Sequence, residues 1–137
     1  MTKRFSAVLL AAVTTAAGLG LALSTPAAAA DRDGSCNTGE LCYYFNTGYA
    51  GSRSDFFYND ANLADNTYLS TGNGKGQVVK NNAAGGFNFE TYLHVSIWYN
   101  SNFNNGTYTG RSDTLPAGTG DGQFDNVYNE NASHSFW

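Results

Sequence analysis

From Leu93 to Trp98 the chain alternates, with Leu93, Val95 and Ile97 on one phase and His94, Ser96 and Trp98 on the other. A period of two predicts a strand with one buried face, and puts His94 on the outer one. Leu41 to Asn46 reads the same way, with Tyr43 and Phe45 opposite Tyr44. Ser54 to Tyr58 supplies a returning strand with Phe56 and Tyr58 on one face. Val78 and Val79 predict a strand over Gln77 to Lys80, Phe87 and Phe89 alternate after it, and Gln123 to Tyr128 predicts another. Phe136 and Trp137 close the chain. Asn59 to Asn66 is polar around Leu63, which suits a short helical turn. No stretch beyond the first thirty residues shows a helical period.

The chain reads as one unit used twice. Tyr44-Phe45-Asn46-Thr47-Gly48-Tyr49-Ala50-Gly51 and Trp98-Tyr99-Asn100-Ser101-Asn102-Phe103-Asn104-Asn105 share an aromatic, four residues, a second aromatic, one residue, then Gly51 or Asn105. Gly and Asn tolerate positive φ, which a strand folding over into a hairpin needs. Arg53-Ser54-Asp55 and Arg111-Ser112-Asp113 follow the two copies. Gly76-Gln77 aligns with Gly122-Gln123, and Val79 with Val127. The second hairpin is longer: Tyr44 to Arg53 spans nine positions, Trp98 to Arg111 thirteen. Two motifs of about forty residues cannot each bury a face alone, so they should pair as a sandwich of two four-stranded sheets.

The start of the chain has a separate logic. Lys3 and Arg4 precede an apolar run, Ala7 to Leu23, and Ala27 to Ala30 offers small-residue cleavage sites. Residues 1–30 read as a secretory signal peptide, cleaved after Ala29 or Ala30, rather than as a membrane anchor. Residues 31–137 are then one extracellular domain. Setting Lys3 and Arg4 aside leaves five basic residues against eleven acidic ones, a net charge of −6. That balance argues against nucleic acid, and against a membrane surface once the leader is removed. With few Leu and Ile, the Tyr and Phe rings must supply the core, and the Asn and Gly residues its turns. Cys36 and Cys42, an even pair at short spacing in an oxidising compartment, form one disulfide that pins the N-terminal segment to the first strand.

The two hairpins resemble the βγ-crystallin motif. Together with Cys36-Asn37-Thr38-Gly39-Glu40-Leu41-Cys42-Tyr43-Tyr44, they are similar to a family of secreted bacterial peptidase inhibitors typified by the Streptomyces metalloproteinase inhibitor. The resemblance spans Ser35 to Trp137. It implies an all-β Greek-key sandwich of two crystallin-like motifs, and a monomeric inhibitor of an extracellular metallopeptidase that acts by loop occlusion. No reactive residue carries over by motif. The candidate loops are Asn59–Gly76 and Thr109–Gly122, the latter stiffened by Pro116. The alternative is a non-inhibitory extracellular crystallin-like protein, structural or calcium-binding. Crystallin-type motifs carry a calcium signature before the last strand, and here Asn81 and Asn82, then Asn129, Glu130 and Ser133, occupy its positions. His134 takes the final hydroxyl slot of the second copy. Calcium is the one candidate ion, and no cofactor is required.

Catalysis finds no motif. Two histidines forty residues apart make no metal or nucleophile pair, and Gly72-Asn73-Gly74-Lys75-Gly76 is a turn with no helix pattern after it. Asn105-Gly106-Thr107 and Asn131-Ala132-Ser133 match the N-glycosylation triplet. Tyr49, Phe103 and Tyr108, on Asn-rich turns, are candidates for stacking on sugar rings as well as for packing across their hairpins.

Overall fold

The computed structural model describes residues 30–137. The expected leader over residues 1–30 therefore lies outside the described residues, apart from Ala30. The strands are β1 (Leu41–Asn46), β2 (Ala50–Phe56), β3 (Gly85–Asn88), β4 (Val95–Trp98), β5 (Ser112–Leu115), β6 (Gly120–Asp121) and β7 (Ser133–Phe136). A 3-10 turn, Leu63–Asp65, falls where the sequence suggests a helical turn, and one further turn, α1 (Ser101–Asn105), separates β4 from β5.

The architecture is all-β. The strands pair antiparallel in two sheets, ordered β2-β1-β3-β6 and β5-β4-β7. β6 belongs to the second half of the chain but pairs with β3 in the first sheet, so the halves interlock as a Greek-key sandwich. The matching place in the second sheet holds only the single bridge Asp60↔His134 beside β7. The two four-stranded sheets expected from the repeat are therefore one of four strands and one of three. Close backbone approach at the β3–β6 seam excludes a side chain: a Cβ on Gly85 would sit 2.5 Å from the Asp121 carbonyl oxygen.

Several expected strands shift. Gln77–Lys80 is a turn with one bridge, Thr67↔Val78, and there Val79 is buried while Val78 is exposed. Gln123–Tyr128 is irregular, although Phe124 and Val127 still reach the core. In both places one or two apolar anchors suffice to fill the interior, Val79 in the first and Phe124 with Val127 in the second, so no ladder is needed. β2 starts at Ala50 and ends at Phe56, which leaves Phe57 and Tyr58 exposed. β4 starts at Val95, and Leu93 is exposed in the turn before it.

The core gathers Leu41, Tyr43, Phe56, Leu63, Tyr68, Val79, Val95, Ile97, Leu115, Phe124 and Val127. Tyr43 stands at its centre, edge-on to Phe56 at 5.6 Å, Phe124 at 6.3 Å and His134 at 5.7 Å. Burial pushes the phenols of Tyr43 and Tyr68 upward from their ordinary range, so both stay neutral. Cys36 and Cys42 are bonded, which ties the N-terminal segment to β1.

The Arg-Ser-Asp repeats act as two copies of one clamp. Arg53 Nε donates to the Gly34 carbonyl at 3.0 Å, and Asp55 accepts from the Asp33 and Gly34 amides at 2.8 and 2.6 Å. Arg111 Nε donates to the Asn126 carbonyl at 2.7 Å, and Asp113 accepts from the Asn126 and Val127 amides at 3.0 and 2.9 Å. The repeat extends to the crossings between the halves: the Asn81 amide donates to the Asn131 carbonyl at 2.8 Å, and the Asn129 amide to the Ala83 carbonyl at 2.9 Å.

Candidate functional site

The two hairpins end differently. In the first, Gly48, Tyr49 and Gly51 take φ of +69°, +59° and +78°, and Tyr44 packs edge-on to Tyr49 at 5.5 Å. In the second, Asn102, Phe103, Asn104 and Asn105 are all left-handed, with φ of +52°, +55°, +54° and +60°. α1 is thus a left-handed turn, which costs L-residues roughly 1–2 kcal/mol each and favours Asn among them. Its neighbours over-determine it. The Asn102 amide donates to the Ala61 carbonyl at 2.7 Å, and the Phe103 amide to Ser133 Oγ at 3.0 Å. Ser133 Oγ in turn donates to the Asn100 carbonyl at 2.7 Å. The Asn100 amide donates to Asn104 Oδ1 at 2.8 Å.

This turn throws the next seven residues outward. Asn105 to Arg111 are exposed without interruption. They are nonetheless braced from inside. The buried Asn104 side chain donates through Nδ2 to the Thr109 carbonyl at 2.9 Å and the Arg111 carbonyl at 3.1 Å. Thr107 Oγ1 donates to the Asn104 carbonyl at 2.8 Å. At the far end Arg111 lies over the Tyr99 ring at 4.4 Å and forms an ion pair with Glu130. Tyr108 itself has φ of +54°, with its ring stacked on Phe103 at 5.0 Å and edge-on to Trp98 at 6.3 Å. Strain of this kind at a bulky residue persists only where surrounding contacts hold it, and it clusters at functional sites.

The two expected loops take different forms. Asn59–Gly76 is sewn to the body: Leu63 and Tyr68 are buried, and the Leu69 and Ser70 amides both donate to the Arg53 carbonyl. Its exposed residues, Asn59, Asn62, Ala64, Asp65 and most of the glycine-rich tip, are separated by buried or half-buried ones. Thr109–Gly122 contains β5 and β6; it is exposed at Thr109 to Arg111, which continues the loop that starts at Asn105, and again at Thr114, Pro116, Gly118 and Thr119. That earlier portion escapes a reading based on the arginine repeat alone. The run of asparagines before it was the available signal, since Asn is the residue that enters left-handed turns most readily after Gly.

The residues in the calcium-signature positions line or border an open pocket of about 390 Å³, formed with Lys80, Tyr99, Asn100 and Ser101. Asn81 and Asn129 line it with φ of +60° and +52°. Two of the signature side chains are engaged through oxygen: Glu130 is paired with Arg111, and Ser133 Oγ donates to the Asn100 carbonyl under α1. Asn82 is held through Nδ2, which donates to the Val78 carbonyl at 2.9 Å. The Lys80 ammonium donates to Ser101 Oγ at 2.8 Å within the same pocket. Among the described residues no three His, Cys, Asp or Glu side chains converge as a metal-ligand group. A resident cation and a carboxylate paired elsewhere do not fit calcium, which needs several free oxygen donors.

His134 is a core residue. It is fully buried between Tyr43, Phe56 and Phe136, with Nε2 3.0 Å from the Tyr58 carbonyl. Burial lowers its pKa to about 4. His94 is half-buried and stacked on Trp137 at 4.9 Å. Asn131 is fully buried, so its triplet cannot carry a glycan in the folded protein.

Among solved structures the chain is similar to one described as "Evolution of the eye lens beta-gamma-crystallin domain fold". The TM-score is 0.57 at 11% identity, over 73% of this chain and 86% of the other. At that identity the likeness concerns the fold alone. No curated protein matches the chain. No helix among the described residues is long and apolar enough to cross a membrane. The model of peptidase inhibitor family I36 matches residues 29–114, which takes in both hairpins, both Arg-Ser-Asp triplets and the whole braced loop. The chain belongs to peptidase inhibitor family I36.

Proposed function

We propose that this chain is a secreted inhibitor of an extracellular metallopeptidase and that Asn105–Arg111 is the loop that occludes the cleft. The observation that carries this choice is the pair of bonds from buried Asn104 to the Thr109 and Arg111 carbonyls. A loop exposed along its length but braced through its own carbonyls loses little entropy on entering a cleft. For the same reason it resists the rearrangement that would let a peptidase cut and release it. Tyr108, 54% exposed, offers an apolar ring to a hydrophobic subsite. In this reading the chain is a binding protein, acts outside the cell as a monomer, and needs no ion of its own.

The test is residual thermolysin activity during titration with the domain of residues 31–137, at fixed calcium because that peptidase requires it. Stoichiometric loss of activity is expected. Asn104→Ala should convert the inhibitor toward a substrate, with cleavage falling between Asn105 and Arg111. Full activity at a molar excess of folded domain overturns the reading and leaves the non-inhibitory crystallin-like alternative.

A further inference from the structure

Outside the occluding role, the outer face of the β5-β4-β7 sheet has a chemistry of its own. An open groove of about 620 Å³ crosses it. Alternation along the strands gives this groove a floor of hydroxyls, among them Ser96, Thr114 and Ser135. The indole of Trp98 lies in the floor, with Nε1 donating to Ser135 Oγ at 3.0 Å. Trp137 Nε1 donates to Ser96 Oγ at 3.0 Å, and the Ser96 and Thr114 hydroxyls are hydrogen-bonded to each other at 3.2 Å. The rims are two exposed rings, Tyr108 and Trp137, at 54% and 62% exposure. Each is backed by another ring: Phe103 stacks behind Tyr108 at 5.0 Å, and His94 behind Trp137 at 4.9 Å.

These features select a ligand class. Every side chain lining the groove is uncharged, in a chain whose formal net charge is −4. A charged ligand finds no side chain of opposite charge there. β4 is the central strand of the sheet, with its backbone paired on both sides, so an extended peptide finds no free ladder groups on this face. A purely apolar ligand would bury hydroxyls without replacing their water. A sugar ring has apolar C–H faces for the rims and hydroxyls, each both donor and acceptor, for the floor. The volume falls within the range of small-ligand sites. We infer that the groove between Tyr108 and Trp137 binds a neutral oligosaccharide of flat, equatorially substituted pyranose rings.

The inference does not depend on peptidase inhibition, and its test separates the two. The chain has two tryptophans, Trp98 and Trp137, and both line the groove, so tryptophan emission, excited at wavelengths that tyrosine does not absorb, reports this site. Cellohexaose and chitohexaose are titrated in turn, with an oligogalacturonate of equal length as the charged control. A saturable emission change with either neutral sugar, and none with the control, is expected. Trp137→Ala should weaken binding by about tenfold or more, as truncation of an aromatic anchor does, while Trp137→Phe retains most of it. Trp137 lies outside Asn105–Arg111, so the Ala variant should inhibit thermolysin as the parent does. No saturable change at millimolar sugar, or equal binding by Trp137→Ala, overturns the proposal whether or not inhibition is found.

Discussion

Acid should destabilise this protein through His134. The side chain is fully buried, and its Nε2 meets the Tyr58 carbonyl, which needs a donor; the proton of the neutral ring therefore sits on Nε2. Nδ1 is buried with no partner. Charging the ring would place a second N–H where nothing accepts it, among Tyr43, Phe56 and Phe136. Burial lowers the pKa from 6.5 to about 4, outweighing the Tyr58 carbonyl, Asp60 and Asp31, which favour the charged form, while Arg32 opposes it. Between those values the unfolded chain binds a proton that the folded one refuses, so stability rises with pH. The contribution is complete above pH 6.5 and is lost as pH falls toward 4. At 1.36 kcal/mol per unit, the loss is about 3 kcal/mol at most, a shift in Tm on the order of 10 °C for a domain of this size. Urea unfolding of the parent and of His134→Gln, which keeps a donor for the carbonyl but does not titrate, measures it between pH 7.5 and 4. Glu40 also has a shifted pKa, raised chiefly by burial, but it is common to both proteins and cancels in the difference. The variant should be the less stable at pH 7.5 and should recover by about 3 kcal/mol relative to the parent at pH 4. Parallel curves across that range would refute the argument.

Two substitutions test the frame. Asn131→Ala removes the acceptor of the Ala83 amide and the donor to the Val79 carbonyl, both at 3.0 Å and buried. Stranding two main-chain groups should cost about 3 kcal/mol, read from the urea midpoint. A midpoint unchanged within error would mean that water reaches them. Gly74→Ala places a Cβ 2.1 Å from the Phe45 ring at φ of +90°. It should lower stability by about 2 kcal/mol or more and displace Phe45 from Tyr68, visible in near-ultraviolet circular dichroism.

Periodicity carried the sequence reading where a strand has one buried face and enough residues to display it. β1 and the body of β4 are of that kind, as is the pairing of two hairpins into one Greek-key sandwich. It failed where structure is set by contact between distant segments. β6 is two residues long and exists because Gly120 can approach β3, where a Cβ would meet Phe87 at 2.4 Å. A glycine-rich stretch with that role reads locally as a turn. His134 was placed by its position in a calcium signature, yet the alternation of Ser133 and Ser135 against His134 and Phe136 was already that of a strand. What no local pattern reveals is that the face carrying His134 packs against Tyr43 and Phe56 from the first half of the chain. The left-handed α1 was legible only as a surplus of asparagine, because its conformation depends on Ala61 and Ser133, remote in sequence.

The difference between the two copies is the best guide to where function lies. Each copy grips a backbone turn with the same arginine and aspartate, and each crosses to the other half at Asn81 or Asn129. Those shared features account for the frame and need no partner outside the chain. The copies part at the hairpin. The first turns in few residues and packs Tyr44 on Tyr49, while the second has four more positions before its arginine. In the second, Phe103 holds Tyr108 instead, and the extra chain becomes the exposed run braced by Asn104. A left-handed turn of four residues destabilises the fold by several kcal/mol before its contacts offset the strain, and the first copy shows that the motif closes without one. The turn has one structural effect: it lifts Tyr108 and the loop around it out of the sandwich while keeping their backbone fixed. The same fixed ring forms one rim of the groove on the outer sheet face, so the site proposed for a peptidase and the one proposed for a sugar both rest on this asymmetry.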